Sequence, residues 1–308
     1  MPTGESNDID MGRSVRRRCP LCGSEEVEVA MRCTDHFVSG EVFPVCACKS
    51  CGFHFTGDVP AADEMGRYYQ SCDYISHSDT SRGLVNKVYH LVRWLMLREK
   101  SGLVSHFTGK RQGRVLDYGA GTGYFANRMR QVGWEVEAVE PGDSARAFAF
   151  AHFGIKMRVP GDLEGFAPGS FDCVTLWHVL EHVADLHDKM DCFARLLSPD
   201  GLLVLALPNR TSYDARRYGD AWAAWDVPRH LWHFAPSDVL RLGNAHGFSL
   251  VEMLPMHFDA FYISMMSEKG RGARLPFLRG LVAGTAALMR TLANKERSSS
   301  LIYVMKKK

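Results

Sequence analysis

Two cysteine pairs, Cys19-Pro-Leu-Cys22-Gly and Cys48-Lys-Ser-Cys51-Gly, have the spacing with which a tight turn presents two thiolates to one ion. Together they offer four sulfurs, the full tetrahedral shell of Zn²⁺, with no position left for a reacting water. The metal role of Cys19, Cys22, Cys48 and Cys51 is therefore read as structural. Cys33 and Cys46 are spare thiols that can substitute for a ligand, and His54 is a further candidate of a kind that more often packs or hydrogen-bonds. A module of about 40 residues has too little core to fold unaided. Zinc supplies roughly 10–16 kcal/mol of apparent binding energy to such a module.

A different chemistry is carried by Val115-Leu-Asp-Tyr-Gly-Ala-Gly-Thr-Gly-Tyr-Phe125. Glycines at 119, 121 and 123 let the backbone turn sharply and approach a ligand without Cβ obstruction. A dinucleotide fingerprint, G-x-G-x-x-G, would place its third glycine at 124, which is Tyr. A P-loop needs Gly-Lys-Ser/Thr, which this segment lacks. The next strand ends in Val139-Glu140-Pro141, with Glu140 21 residues beyond Gly119. A carboxylate there can accept both hydroxyls of a ribose with no phosphate nearby.

Two histidine groups offer proton or metal chemistry. In His178-Val-Leu-Glu181-His182, positions i, i+3 and i+4 share one face if the segment is helical. H-x-x-E-H alone is the inverted zinc-protease pattern, but its place directly after a strand of the ligand-binding sheet argues against that. Structural, acid–base and metal roles stay open for it. The second group, Trp225-Asp226-Val-Pro-Arg229-His230-Leu-Trp232-His233-Phe234, is rich in histidine and aromatic residues for a solvated loop. A neutral histidine can take a proton from an acceptor hydroxyl, so His230 or His233 is a candidate general base. The alternative is that the rings pack as a lid and the histidines cap backbone groups.

These residues need a scaffold, and hydrophobic periodicity supplies its outline. Strands are expected at Arg114–Tyr118, Glu135–Val139, Phe171–Trp177, Leu202–Leu207, Ser249–Leu254 and Leu301–Met305. Helices are expected at Thr122–Val132, Ser144–Phe153, Ala184–Leu197, from an N-cap at Ser237 to His246, and at about 276–294. The β-α-β alternation implies an α/β fold, a parallel sheet with helices on both faces. The organisation read from these signals is a disordered leader (1–17), a zinc ribbon (18–57), a helical linker or cap (58–110) and an α/β domain (111–308). The last carries an insertion at 209–235 and a helical insertion at 256–297. Leu275–Ala293 is apolar on much of its surface with Arg271, Arg274, Arg279 and Arg290 interspersed, and reads as a core-covering helix or an interfacial one.

The chain has 308 residues, of which 23% are charged, and a formal net charge of +2, which argues against a nucleic-acid-binding field. Six of its nine cysteines fall between Cys19 and Cys51, as expected of metal binding in a reducing compartment rather than of a secreted disulfide framework. No apolar leader or membrane-spanning run stands out, and the expectation is a cytoplasmic protein.

With these motifs in place, residues 114–207 resemble the class I S-adenosylmethionine-dependent methyltransferases. The resemblance implies a Rossmann-like seven-stranded sheet with its last strand antiparallel, and an insertion at 209–235 that closes over the acceptor as a lid. It implies a cofactor held by Asp117, Tyr118, Gly119, Ala120, Gly121, Gly123, Tyr124 and Phe125, with Glu140 and Pro141 at the ribose. Asp162 and Leu163 would lie near the adenine, and Trp177 and His178 at the edge of the site. The central domain is also similar to quinol O-methyltransferases, in which a Glu-x-x-Glu-His set binds a divalent cation; here His178 replaces the first Glu. Related sugar methyltransferases with an N-terminal zinc module fold a Tyr/Ser segment over the methionine end of the cofactor, which would place Tyr74 and His77 there. The expected reaction is methylation of a hydroxyl on a small molecule, with His178, His230 or His233 in acid–base roles. A zinc-ribbon RNA methyltransferase and a non-catalytic cofactor-binding protein remain as alternatives.

Overall fold

The computed structural model describes residues 13–15, 18–69 and 84–308. Tyr74 and His77 lie outside the described residues, as does most of the expected leader. Three leader residues, Arg13–Val15 (β1), instead pair antiparallel with Asp58–Pro60 (β5).

The main sheet is built from β6 (Arg114–Tyr118), β7 (Glu135–Val139), β8 (Phe171–Trp177), β9 (Leu197–Pro208), β11 (Phe248–Pro255) and β12 (Ser300–Lys307). Their order is β11-β12-β9-β8-β6-β7, and β12 runs antiparallel to both of its neighbours. The sheet thus has six strands rather than seven; beyond β7 the edge is continued only by a single parallel bridge between Val139 and Arg158. One face is covered by α1 (Leu84–Thr108) and α2 (Tyr124–Gln131), which pack Leu103, Val104, Phe125 and Met129 against Val115, Cys173 and Val204. The other is covered by α4 (Leu186–Leu196) and α6 (Pro236–Ala245), following α3 (Asp143–Phe153) and α5 (Tyr213–Tyr218) in the chain. Ser237 is not the cap of α6: the helix begins at Pro236, and the Asp238 carboxylate accepts from the Ala235 amide. The helical insertion is a hairpin of α7 (Asp259–Gly270) and α8 (Pro276–Ala293).

The ribbon consists of β2 (Val27–Thr34), β3 (Val42–Cys48) and β4 (His54–Thr56). Its sheet has a fourth strand, β10 (Trp232–His233), which comes from the 209–235 insertion and pairs with β4. Phe53 and Phe55 of the ribbon share one continuous apolar core with Trp232, Phe234, Leu205 and Leu207. Residues 18–57 and the 209–235 insertion therefore pack together through a shared sheet and a shared core.

Candidate active site

At the C-terminal ends of β6 and β7 the glycine loop takes the left-handed backbone its composition allows. Gly119, Gly121 and Gly123 have φ of 75°, 53° and 83°, values that L side chains adopt only under strain. A Cβ on Gly119 would lie 2.4 Å from Val179 Cγ2, and one on Gly123 2.8 Å from Met157 Cε. At Gly121 a Cβ would meet nothing within 4 Å, so this turn of the loop faces open space. Glu140 is fixed at its edge: one carboxylate oxygen accepts the Gly121 amide at 2.9 Å and the other the Gly142 amide at 2.8 Å.

Asp117 is buried beneath the loop. Its Oδ1 accepts from the Thr175 hydroxyl at 2.9 Å, while Oδ2 has no partner. Burial pushes its pKa up to about 7, against the smaller lowering effects of the Thr175 hydrogen bond and the Lys100 charge. Such an unpartnered buried oxygen awaits a donor, and a ligand ammonium fits it. Lys100 of α1 lies 4.3 Å above the Trp177 ring, and burial lowers its pKa although Asp259 and Asp117 oppose that.

Several expected contacts are turned away from this space. The Tyr118 ring packs edge-on against Phe193, and Phe125 packs against Trp177; both are buried in the core. Leu163 is likewise a core residue. These side chains support the loop from beneath, so only their backbone is available to a cofactor. Tyr124 stacks under the Arg93 guanidinium at 3.8 Å, and Ala120 packs beside it against the α3 side of the core. Pro141 presents its carbonyl to Arg146. Asp162 is exposed and accepts from the Val159 amide at 3.2 Å.

The His178–His182 segment is not an α-helix. His178 takes a left-handed φ of 58°, and Leu180–His182 form one 3-10 turn. His178 turns towards α7, where its Nε2 lies 3.0 Å from Asp259 Oδ2 and its Nδ1 3.6 Å from Glu181 Oε1. Burial lowers its pKa, but the charge and hydrogen bond of Asp259, with the nearby Glu181 carboxylate, outweigh burial and raise it to about 9. At neutral pH the raised pKa makes His178 an imidazolium between two carboxylates, so within its expected acid–base role it can donate a proton but not accept one.

Glu181, His182 and His230 converge, each offering a ligand atom within 4.8 Å of the others. The tautomers follow from proton accounting. His182 Nδ1 lies 3.0 Å from the Arg229 carbonyl and His230 Nδ1 2.9 Å from the Ala224 carbonyl. A carbonyl only accepts, so both Nδ1 atoms donate and both Nε2 atoms of the neutral rings keep a lone pair. Burial, reinforced by His230, pushes the His182 pKa down to about 4. No donor among the described residues comes within hydrogen-bond distance of either Glu181 oxygen, although His178 Nδ1 stands 3.6 Å from Oε1 as its ion-pair partner. Burial raises the Glu181 pKa, but the neighbouring histidines outweigh it and hold the carboxyl below its usual range.

His233 is placed elsewhere. The Thr56 hydroxyl donates to the His230 carbonyl at 2.6 Å, so it must accept from His233 Nε2 at 3.1 Å. That nitrogen carries a proton and cannot receive one, and burial lowers the His233 pKa well below its usual value. His233 joins lid to ribbon rather than serving as the base.

The 209–235 insertion is pinned between two partners. On one side the Leu231 amide donates to the Glu181 carbonyl at 2.7 Å and Trp232 Nε1 to the Val183 carbonyl at 2.6 Å. On the other, Arg229 is enclosed by the ribbon's Asp35 (2.8 Å), by Asp226 (2.7 Å) and by the Tyr68 carbonyl (2.7 Å). In the ribbon the four cysteine sulfurs lie within 4.8 Å of one another, with Cys19–Cys51 and Cys22–Cys48 each at 3.6 Å. A disulfide would need about 2.0 Å, whereas sulfurs about 2.3 Å from a tetrahedral ion sit roughly 3.8 Å apart. Burial raises the pKa of the Cys19 and Cys51 thiols, whereas at Cys48 the amides of Cys51 and Ser50 and the Cys22 thiol outweigh burial and lower it. Cys33 and Cys46 are buried outside this cluster.

Asp259, Lys100 and Asp35 were not singled out from the sequence. Asp259 and Lys100 sit in ordinary amphipathic stretches, and nothing local marks Asp35 as the partner of an arginine 194 residues away.

A profile of the methyltransferase-domain family matches residues 92–253. The chain is similar to the ubiquinone biosynthesis O-methyltransferase of Burkholderia thailandensis, 29% identical over 163 residues that span 48% of this chain and 68% of that protein. The enzyme of the same description from Xanthomonas oryzae is 34% identical over 130 residues, covering 39% of this chain and 54% of that protein. Among solved structures, a putative sarcosine dimethylglycine methyltransferase from Galdieria sulphuraria superposes with a TM-score of 0.50 at 13% identity, over 72% of this chain and 88% of that one, a likeness of fold. The family match takes in both the glycine loop and the His178–His182 turn and leaves the ribbon outside it, so the catalytic half is what the chain shares with others: it belongs to the methyltransferase-domain family and is an S-adenosylmethionine-dependent methyltransferase.

Proposed function

We propose that this enzyme methylates a hydroxyl group of a small-molecule acceptor, as the ubiquinone-pathway relatives' names describe for those proteins. The observation that carries this reading is the convergence of the Glu181 carboxylate and the His182 and His230 imidazoles beside the glycine loop, each ring with its Nδ1 against a backbone carbonyl. Val179, which leads into the 3-10 turn, packs directly over Gly119, so the cluster borders the cofactor loop.

Methyl transfer from a sulfonium is an in-line displacement, in which the protein mainly aligns the reactants and excludes water. Glu140 accepts the ribose hydroxyls, and Asp117 Oδ2 accepts from the methionine ammonium. His230 Nε2 takes the acceptor's hydroxyl proton as the oxygen attacks the methyl carbon, and Glu181 stabilises the imidazolium that forms. The His178 imidazolium fixes Glu181 and Asp259 from the other side. The same Glu181, His182 and His230 atoms suit a divalent cation, with each imidazole Nδ1 already held by a backbone carbonyl. Such an ion would polarise the acceptor oxygen.

Cys19, Cys22, Cys48 and Cys51 hold a structural Zn²⁺, which the sulfur spacing and the small core support. The ribbon at 18–57 and the lid at 209–235 form the acceptor side of the enzyme. The test is methyl transfer from labelled cofactor to catechol-type, sugar and RNA acceptors. Label in the small hydroxylated compounds, lost in His230→Asn, supports the reading; label in RNA alone overturns it.

A further inference from the structure

Helix α8 is packed inside out for a core-covering helix. Its buried face is small: Gly280, Ala283, Gly284, Ala287 and Thr291 lie against α7. A Cβ on Gly280 would lie 2.5 Å from Met265 Cα, and one on Gly284 2.8 Å from Phe261 Cα. The large apolar side chains point the other way: Leu278 is 54% exposed, Val282 64%, Met289 62% and Leu292 66%. At about 100° per residue these positions, with Leu281 and Thr285, fall within an arc of roughly 100° opposite the packed face. Phe277, at 67% exposure, and Leu275, at 60%, extend the surface at the N-terminal end. A contiguous apolar surface of this kind marks an interaction site.

The charge around the helix indicates what covers it. Between Lys269 and Arg297 there are seven basic residues and one acidic residue, in a chain whose net charge is +2. Arg279 and Arg290 fall together on one flank of the apolar arc, Arg271 and Arg274 precede the helix, and Lys295 and Arg297 follow it. Arg279 is held by Glu268 and Lys295 by Glu252, while Arg271, Arg274, Arg290 and Arg297 are exposed. An apolar stripe bordered by cations suits the interface of an anionic bilayer, where apolar side chains enter the acyl boundary and guanidinium groups meet phosphates. Among the described residues no helix is long and apolar enough to cross a membrane.

We propose that α8 docks this enzyme on the surface of an anionic lipid bilayer. The hairpin reaches the active site, because Asp259 at the start of α7 is the partner of His178. Docking therefore brings the site to the bilayer surface. That it serves to collect a lipid-dissolved acceptor rests on the proposed reaction; the docking itself does not.

The test is flotation of the full chain with phosphatidylcholine vesicles and with mixed phosphatidylcholine–phosphatidylglycerol vesicles. The wild type should float with the mixed vesicles and far less with the neutral ones, and added salt should weaken the binding. The triple variant Val282→Ser, Met289→Ser, Leu292→Ser should bind at least about tenfold more weakly, with unchanged circular dichroism and unchanged transfer to a soluble acceptor. Arg271→Gln with Arg274→Gln, which leaves the apolar face intact, should lose the preference for anionic lipid. Failure of the wild type to float overturns the proposal. So does a wild-type dimer by light scattering that the triple variant converts to monomer without any vesicle binding, which would assign the face to a second copy.

Discussion

Replacing Arg229 by Met should loosen the ribbon from the catalytic domain by about 3 kcal/mol. Arg229 is 1% exposed and spans three segments, donating to Asp35, Asp226 and the Tyr68 carbonyl. Removing one partner of a buried pair costs roughly 3–5 kcal/mol, because the other charge is left behind. Two features place the loss at the lower end. Asp35 retains donors from the amides of Phe37, Val38 and Ser39 and from the Ser39 hydroxyl. Asp226 keeps 14% side-chain exposure and can hydrate. Urea unfolding followed by tryptophan fluorescence reports this, since Trp222, Trp225 and Trp232 are all buried around the lid. The double variant Asp35→Leu, Arg229→Met removes both charges and should recover at least about 2 kcal/mol of the summed single losses. A single-variant loss below about 1 kcal/mol, or simple additivity in the double variant, would refute the view that this ion pair fastens ribbon to lid.

Glu140→Gln should weaken cofactor binding by about tenfold or more by calorimetry, since a charged acceptor for the ribose becomes a neutral one; equal affinity would remove Glu140 from the ribose site. Cofactor affinity should rise with pH through about 7, because Asp117 titrates there and only its ionised form pairs with the methionine ammonium; a profile no steeper than that of Asp117→Asn would contradict this. His230→Asn should lower kcat by about 10²–10⁴ with cofactor affinity retained, whereas His233→Asn should cost stability and leave kcat within a few-fold. Stripping zinc with a chelator should abolish transfer and restore it on readdition of zinc, and metal analysis of replete protein should find one zinc per chain.

The donor half of the site was legible in the sequence because its constraints are local. A strand, three glycines needing left-handed backbone and an acidic strand end all fall between Val115 and Glu140. Side-chain direction was not legible: Tyr118 and Phe125 flank the three glycines in sequence but pack into different core clusters. The His178–His182 motif carried the right residues with the wrong geometry. The positive φ of His178 ends the helical register assumed for it, and the cluster closes through His230, 52 residues beyond His178. The β4–β10 pairing and the Asp35–Arg229 contact link segments nearly two hundred residues apart. No periodicity encodes such pairing; it exists only once the core has formed.

The lid illustrates why an added ribbon matters to a fold that is otherwise complete. Residues 219–233 contain two single 3-10 turns and a two-residue strand. So little regular structure cannot offset its own conformational entropy. Its order comes from three sources: the 3-10 turn at Leu180–His182, the apolar core shared with Phe53 and Phe55, and the buried Asp35–Arg229 pair. Two of these belong to the ribbon. The cofactor loop shares only the first of them, through Val179 at the start of that turn; the glycines' other close neighbours, Met157 and Ala149, lie in the α/β domain. The glycine loop is therefore ordered mainly by the α/β domain, while the segment that carries His230 is held in place largely by the 18–57 module, which lies outside the matched family domain.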